Sequence, residues 1–221
     1  MCRFLIARSS IAFQPAELMS TFAGMAEASR APDGDRQKDG WGIGWLDPGG
    51  RWQVHKSVRP IWEDGKVFSR IPPSRTFLVH ARSASFPGQQ DNLAYNQPFV
   101  AGAYGFVFNG LLQGVSLPVP VPGEIGSQKI WTLLTQKLSS LPPVPSLEET
   151  ASFLVHNSRR VQALNIGLCD QNSFYVFCRF DDPSDYYQLW SHESPSLKIV
   201  CSEPLAGFDF FPLPSGRLVV L

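Results

Sequence analysis

Strand-like runs come in groups along this sequence, and the helical patterns fall between the groups. Short stretches rich in apolar, β-branched and aromatic residues, bounded by turn residues, predict strands at Cys2–Ala7, Trp41–Leu46, Trp52–Ser57, Thr76–Ala81, Tyr104–Phe108, Leu164–Leu168, Ser173–Phe180, Tyr187–Trp190, Lys198–Cys201 and Arg217–Leu221. A helix opens at Pro15 and runs to about Ala28, with Leu18, Phe22, Met25 and Ala26 on one face. A second begins near Ser127, where Ile130, Leu133, Leu134 and Leu138 recur at helical spacing, and a third has a capping-box start at Ser146-Leu-Glu-Glu149. One helix for every strand would predict a doubly wound parallel sheet. The grouping here predicts an α+β layered architecture instead. The proline-rich stretches LPVPVPG (117–123) and LPPVP (141–145) read as stiff extended connectors around the second helix, because proline fixes φ and removes a donor. With 43% hydrophobic residues in a chain of 221 and no internal repeat, the expectation is a single domain over 2–221.

Several function classes are disfavoured. Basic and acidic residues balance at 19 each, so no overall field draws the protein to nucleic acid or to an anionic membrane. The cysteines at 2, 169, 178 and 201 form no C-x-x-C, and combining them with His55, His80, His156 and His192 gives no zinc-like spacing, so neither a metal nor another cofactor is expected. No apolar run approaches the roughly 18 residues a membrane span requires, and the start lacks a basic n-region and a long apolar h-region. The expected location is cytoplasmic, with the cysteines reduced.

Cys2 admits two readings. It is one more apolar side chain opening a buried strand or, once Met1 is removed, a residue carrying both a thiol and a free α-amino group. Five further stretches bear on the choice: KDGWGIGW (38–45), VHARSAS (79–85), NQPF (96–99), YGFVFNG (104–110) and GEIGSQ (123–128). Singly they are ordinary. The glycines of DGWGIGW run into a Leu-Asp-Pro-Gly-Gly turn, where a dinucleotide fingerprint needs a helix. Arg82 ends an apolar strand, and Asn109-Gly110 between apolar runs reads as a hairpin turn.

Together they supply what a thiol attacking an amide requires. A free thiol titrates near ~8.5 and an α-amino group near ~7.7–8.0, so an N-terminal cysteine brings its own base. The Asn109 amide and the Gly110 N–H, delivered by a tight turn beside the thiol, suit an oxyanion hole. Arg82 suits a carboxylate, which a guanidinium grips with two parallel hydrogen bonds.

The opening MCRFL, DGWGIGW, HARSAS, NQPF, the Asn-Gly of FVFNG and the late CSEPL (201–205), in that order over nearly the whole chain, resemble class II glutamine amidotransferase domains of the N-terminal-nucleophile hydrolases. The resemblance is strongest to the stand-alone branch that includes YafJ-like proteins and the γ-glutamyl hydrolases of ergothioneine biosynthesis and fungal glutathione breakdown. It implies a four-layer αββα sandwich of two antiparallel sheets between helices. It also implies that Cys2 is the nucleophile with its own amine as base, that Asn109 and Gly110 form the oxyanion hole, and that Arg82 with Ser85 holds the α-carboxylate of a small-molecule γ-glutamyl substrate. The implied reaction releases glutamate through a Cys2 thioester. A synthase or peptidase partner subunit would be needed to use the product further. Two departures stand out. Phe108 replaces the family histidine before Asn-Gly, and GEIGSQ lacks the family aspartate that binds the substrate's α-ammonium: Gly126 stands in its place, Gln128 in place of the following glutamate, with Glu124 two residues away. The second departure keeps open an alternative, a catalytically impaired domain acting as a binding or regulatory subunit.

Overall fold

A computed structural model of the chain describes residues 1–221 apart from 30, 32, 33, 87 and 182–184. The chain runs β1 (Arg3–Phe13), α1 (Ala16–Glu27), β2 (Trp41–Leu46), β3 (Trp52–Ser57), α2 (Gly65–Phe68), β4 (Ser74–Ala81), β5 (Phe99–Ala101), β6 (Tyr104–Val115), α3 (Gly126–Leu138), α4 (Pro143–His156), β7 (Ser158–Cys169), β8 (Phe174–Phe180), β9 (Trp190–Glu193), β10 (Leu197–Cys201), β11 (Phe211–Pro212) and β12 (Arg217–Val220). Two antiparallel sheets result, ordered β11-β9-β10-β1-β4-β2-β3 and β12-β8-β7-β6-β5.

Alternation along two strands sets the layering. In β1, Leu5 and Ala7 pack with Leu18, Met19 and Phe22 of α1, whereas Phe4 and Ile6 point the other way, into a cluster with Val107 of β6 and Val176 of β8. In β6, Phe106 and Phe108 take the side opposite to Val107 and pack under Ile130 and Leu134 of α3 and Leu147 and Leu154 of α4. Successive side chains of a strand leave opposite faces, so each sheet buries one face on helices and the other on its partner sheet. The layers are α, β, β, α, as the resemblance implies. The sheets come close: a Cβ at Gly167 on β7 would sit 2.4 Å from Ile6 Cδ1.

The strands at Trp41–Leu46 and Trp52–Ser57 coincide with β2 and β3. Three readings are corrected. Asn109-Gly110 is not a turn: β6 passes straight through it, with Asn109 opposite Asn165 and Gly110 opposite Leu164. Local turn propensity yields to the sheet, because Leu111 and Leu112 continue the pairing with β7. The third helix begins at Pro143, not at Ser146, so the last three residues of LPPVP are helix. Proline costs little in a first turn, whose N–H groups lack intrahelical partners anyway, and the Ser146 hydroxyl donates to the Leu141 carbonyl at 3.1 Å from inside the helix. Finally, Tyr187 closes a short 3₁₀ turn (Asp185–Tyr187), and the strand expected to start there begins at Trp190.

Among the described residues no cluster of His, Cys, Asp and Glu is arranged to hold a metal ion, and no helix is long and apolar enough to cross a membrane.

Candidate functional site

The register of β1 on β4 pairs Arg3 with Ala81, which sets Cys2 beside Arg82 at the end of the strand pair. The Cys2 thiol reaches the Ser83 carbonyl at 3.6 Å. The Arg82 N–H donates to the Gly40 carbonyl at 2.8 Å, tying the approach to β2 onto the same corner. Gly40 has φ +105°, and a Cβ there would meet the Asn96 amide at 2.2 Å. That glycine therefore lets Asn96, which donates to the Ser57 carbonyl at 2.8 Å, hold the NQPF segment in place.

Beside this corner lies a cavity of about 380 Å³, whose lining includes Cys2, Arg82, Ser85, Gly110, Glu124 and Gly126. Six of the seven residues singled out from the sequence thus share one space. Asn109 does not line it. It is 1% exposed, with neither the nitrogen nor the oxygen of its amide hydrogen-bonded, and by strand alternation it faces the first sheet on the same side as Val107.

The edge of β6 explains how Gly110 is presented. β5 covers only Tyr104–Phe106. At Phe108 the Gln97 side chain takes over the work of a neighbouring strand: its Oε1 accepts from the Phe108 N–H at 2.5 Å and its Nε2 donates to the Phe108 carbonyl at 3.2 Å. In an antiparallel ladder the peptide groups of alternate residues face alternate neighbours. The Gly110 N–H, two residues on, therefore points away from β7, past the end of the Gln97 cap and towards the cavity. A side chain at 110 would bring a Cβ to 2.2 Å from the Ala163 carbonyl oxygen.

Arg82 is buried and pairs with no carboxylate among the described residues; its guanidinium lies 5.4 Å from the centre of the Tyr95 ring. The Tyr95 hydroxyl in turn donates to Glu124 Oε2 at 2.6 Å. A guanidinium and a carboxylate are thus spaced across one aromatic ring. The Gln128 side chain fixes this end of α3, accepting from the Glu124 N–H at 2.8 Å and donating to the Ala94 carbonyl at 3.1 Å. A Cβ at Gly126 would meet nothing within 4 Å, so an aspartate side chain fits there.

On the other side of Cys2 the amino terminus is held at both ends of its first residue. The Met1 ammonium contacts Asp35 and the Ser83 hydroxyl at 3.2 Å each. The Met1 carbonyl accepts from Gln37 Nε2 and from the Tyr186 hydroxyl, each at 3.0 Å. Tyr186 is itself clamped: the Arg3 guanidinium stacks 3.6 Å above its ring and donates to its carbonyl at 2.7 Å, and Glu203 from the CSEPL segment pairs with Arg3 at 2.6 Å. A larger cavity of about 960 Å³ opens here, touching Met1, Arg36, Lys38 and Tyr186 and sharing Ser83, Ser85 and Leu111 with the first.

Burial pushes the Cys2 thiol above its ordinary value, outweighing the Met1 ammonium, the Ser83 hydrogen bond and Arg82, which pull it down. His80 also lines the smaller cavity, but burial, reinforced by Arg82 and Lys56, drives it down to about 3. An imidazole that weakly basic is a poor partner for a thiol at neutral pH. Burial would raise Asp35, yet its hydrogen bond with Ser83 and the Met1 ammonium together hold it below the usual carboxylate range.

Sequence reasoning missed His80, Tyr95, Gln97, Gln37 and Tyr186 as neighbours of the site. His80 was within reach, since it shares a strand face with Arg82 at i, i+2. Gln37 and Tyr186 carry no local signal, because each is brought in by long-range packing.

No family model matches the chain. Solved structures give the fold. A glutamine aminotransferase class-II domain protein from Silicibacter pomeroyi superposes with a TM-score of 0.66 at 17% identity, over 99% of this chain and 94% of that one. Glutamine phosphoribosylpyrophosphate amidotransferase from B. subtilis gives 0.71 at 15%, over 100% and 47%. A predicted glutamine amidotransferase from Pseudomonas aeruginosa gives 0.60 at 16%, over 99% and 96%. The chain has the fold of a class II glutamine amidotransferase domain. Among curated proteins, a γ-glutamyl-hercynylcysteine sulfoxide hydrolase from Mycolicibacterium smegmatis is 32% identical over 97 residues, which span 43% of this chain and 42% of that protein.

Proposed function

We propose that the protein is an amidohydrolase that releases glutamate from a small γ-glutamyl amide or peptide through a thioester on Cys2. The observation that carries this reading is the shared cavity, in which a thiol, a buried arginine with no carboxylate partner among the described residues and an outward-facing strand N–H meet. Removal of Met1 frees the Cys2 amine. The amine takes the thiol proton as sulfur attacks the γ-glutamyl carbonyl, and the oxyanion forms against the Gly110 N–H, with the unpartnered Asn109 amide, buried behind the cavity lining in the substrate-free protein, as the second donor in the substrate complex. The C–N bond then breaks, and the proton passes from the amine to the leaving nitrogen. The very weakly basic His80 supports a mechanism in which the base is the residue's own amine. Arg82, with Ser85 at the rim, suits the α-carboxylate, and Glu124, positioned by Tyr95, stands in at the α-ammonium for the aspartate absent at Gly126.

The leaving group would occupy the larger cavity. That cavity, of about 960 Å³, shares Ser83, Ser85 and Leu111 with the smaller one and leaves room beside the site for a leaving group larger than ammonia. The curated relative, named for hydrolysis of a γ-glutamyl compound with such a leaving group, supports the same reading. A reducing cytoplasm suits four free cysteines. Transfer of ammonia to an acceptor would involve a separate synthase, and further breakdown of the leaving group a peptidase partner. A binding or regulatory subunit is the competing reading, favoured by Gly126.

The test is glutamate release from a panel of γ-glutamyl amides and dipeptides by protein whose mass shows Met1 removed. Release that disappears in Cys2→Ala supports the proposal. Silence across the panel favours the binding subunit, and undiminished release by Cys2→Ala removes Cys2 as the nucleophile.

A further inference from the structure

We infer that the larger cavity is an amino-acid subsite, in which Asp35 and Ser83 receive the departing nitrogen and Arg36 and Lys38 the carboxylate of the leaving group, so that the preferred substrates are γ-glutamyl amino acids. The inference rests on the hydrolase reading above. An ammonium already occupies the first half of the subsite in the unprocessed chain: that of Met1, 3.2 Å from Asp35 and 3.2 Å from the Ser83 hydroxyl. Three covalent bonds separate this nitrogen from the nitrogen of Cys2, so the two lie within about 4 Å of each other whatever the torsion. The Cys2 amine is the group that hands a proton to the departing nitrogen, which therefore has to come to a similar distance. Excision of Met1 vacates the position and leaves the Ser83 hydroxyl donating to Asp35 beside it.

The second half follows from charge. Arg36 and Lys38 both line this cavity, and both are exposed. Gln37 between them is fully buried, and the Lys38 N–H donates to the Arg36 carbonyl at 2.9 Å. A tight turn whose central side chain points inward sends the two flanking side chains outward, here into the cavity. Neither pairs with a carboxylate among the described residues. The carboxylate of the lining, Asp35, is engaged by Ser83 and the Met1 ammonium. Two cations without a carboxylate, next to a carboxylate that holds an ammonium, complement a ligand with a positive and a negative group close together. An α-amino acid is such a ligand, its amine and carboxylate being joined through one carbon. Ammonia or a simple amine as leaving group would give Arg36 and Lys38 nothing to hold.

In the acylation step the departing nitrogen takes one proton from the Cys2 amine as the C–N bond breaks. It takes a second from solvent in the open cavity and leaves as an ammonium, the species that Asp35 and Ser83 hold in Met1. Arg36 and Lys38 make and break no bonds. They hold the carboxylate by charge-assisted hydrogen bonds, partly screened because both side chains face solvent.

The test uses two substrates that differ only at the carboxylate, γ-glutamyl-alanine and γ-glutamyl-alaninamide, with Met1-processed protein. The carboxylate form is expected to have a roughly tenfold higher kcat/KM, a preference that narrows as salt rises. In the Arg36→Gln, Lys38→Met double variant the ratio should fall to about one. Added L-alanine should inhibit the wild type, and Asp35→Asn should weaken that inhibition several-fold. Equal rates on the two substrates, or a preference that survives the double variant, overturn the carboxylate half and leave the hydrolase in place; inhibition unchanged by Asp35→Asn overturns the ammonium half. Absence of glutamate from both substrates overturns the hydrolase reading, and calorimetry on Cys2→Ala then decides the subsite. Tighter binding of γ-glutamyl-alanine than of its amide, lost when Arg36 and Lys38 are also replaced, upholds it. Equal binding, or none, overturns it.

Discussion

Replacing Asn109 by leucine should raise stability and suppress turnover in the same protein. Asn109 is buried at 1% exposure, and both polar atoms of its amide lack partners. Each unsatisfied buried group costs about 1–3 kcal/mol. Leucine has the same branched skeleton, carries no polar atom, and would meet the apolar contacts between the sheets that Val107 makes two residues earlier, although its methyl groups are bulkier than the amide and overpacking opposes part of the gain. Allowing for imperfect packing, the expected net gain is about 1–2 kcal/mol, or roughly 2–8 °C in melting temperature for a chain of this size. As the oxyanion donor proposed above, the amide would be lost to the reaction, and loss of one such donor lowers kcat by roughly 10²–10³. Thermal melts of substrate-free protein, set beside glutamate release, measure both sides. A variant that melts lower than wild type would show that the amide supports the fold, and a variant with normal turnover would remove Asn109 from the oxyanion hole.

Two other outcomes follow from charged groups. Glu124→Gln should lower kcat/KM roughly tenfold or more for substrates with a free α-amino group and hardly at all for their N-acylated analogues, and Gly126→Asp, which has open space for its side chain, should restore the loss; equal losses on both substrate types would detach Glu124 from the α-ammonium. Burial lowers Lys56 to about 8 from the 10.5 of an unperturbed lysine, so between those pH values the unfolded chain binds more protons and stability rises with pH. Lys56→Met should therefore stabilise most below pH 8, with the advantage fading as pH climbs past 10; a gain independent of pH would contradict this assignment of the cause.

The sequence makes β2 and β3 legible to the residue because aromatic and β-branched positions are closed off by Gly-Gly and Ser-Val-Arg-Pro boundaries. It makes β6 illegible beyond Phe108, since Asn-Gly is a strong local turn signal and only the partner strand overrules it. The proline run before α4 misleads in the opposite direction, because residues typical of connectors also suit a first helical turn. Within the site, Cys2, Arg82 and Glu124 are visible as chemical types in order, and their convergence on one cavity follows from antiparallel register. What no local pattern reveals is a side chain doing a strand's work, as Gln97 does, or residues 37 and 186 meeting on one oxygen.

The uncovered edge of β6 has a consequence for self-association. A row of free peptide groups at a sheet border is a template for any other extended chain, including a second copy of the same protein. Here the peptide group that would seed such pairing is the Gly110 N–H, the same one proposed to meet the substrate. The chain limits the exposure: Gln97 occupies the edge on one side, and on the other the register shifts between Leu111 and Leu112 and Gly114 turns left-handed at φ 62°. The proposed contact with substrate and resistance to aggregation therefore compete for a single amide, and substitutions that straighten the strand beyond it are expected to trade solubility for no gain in the site.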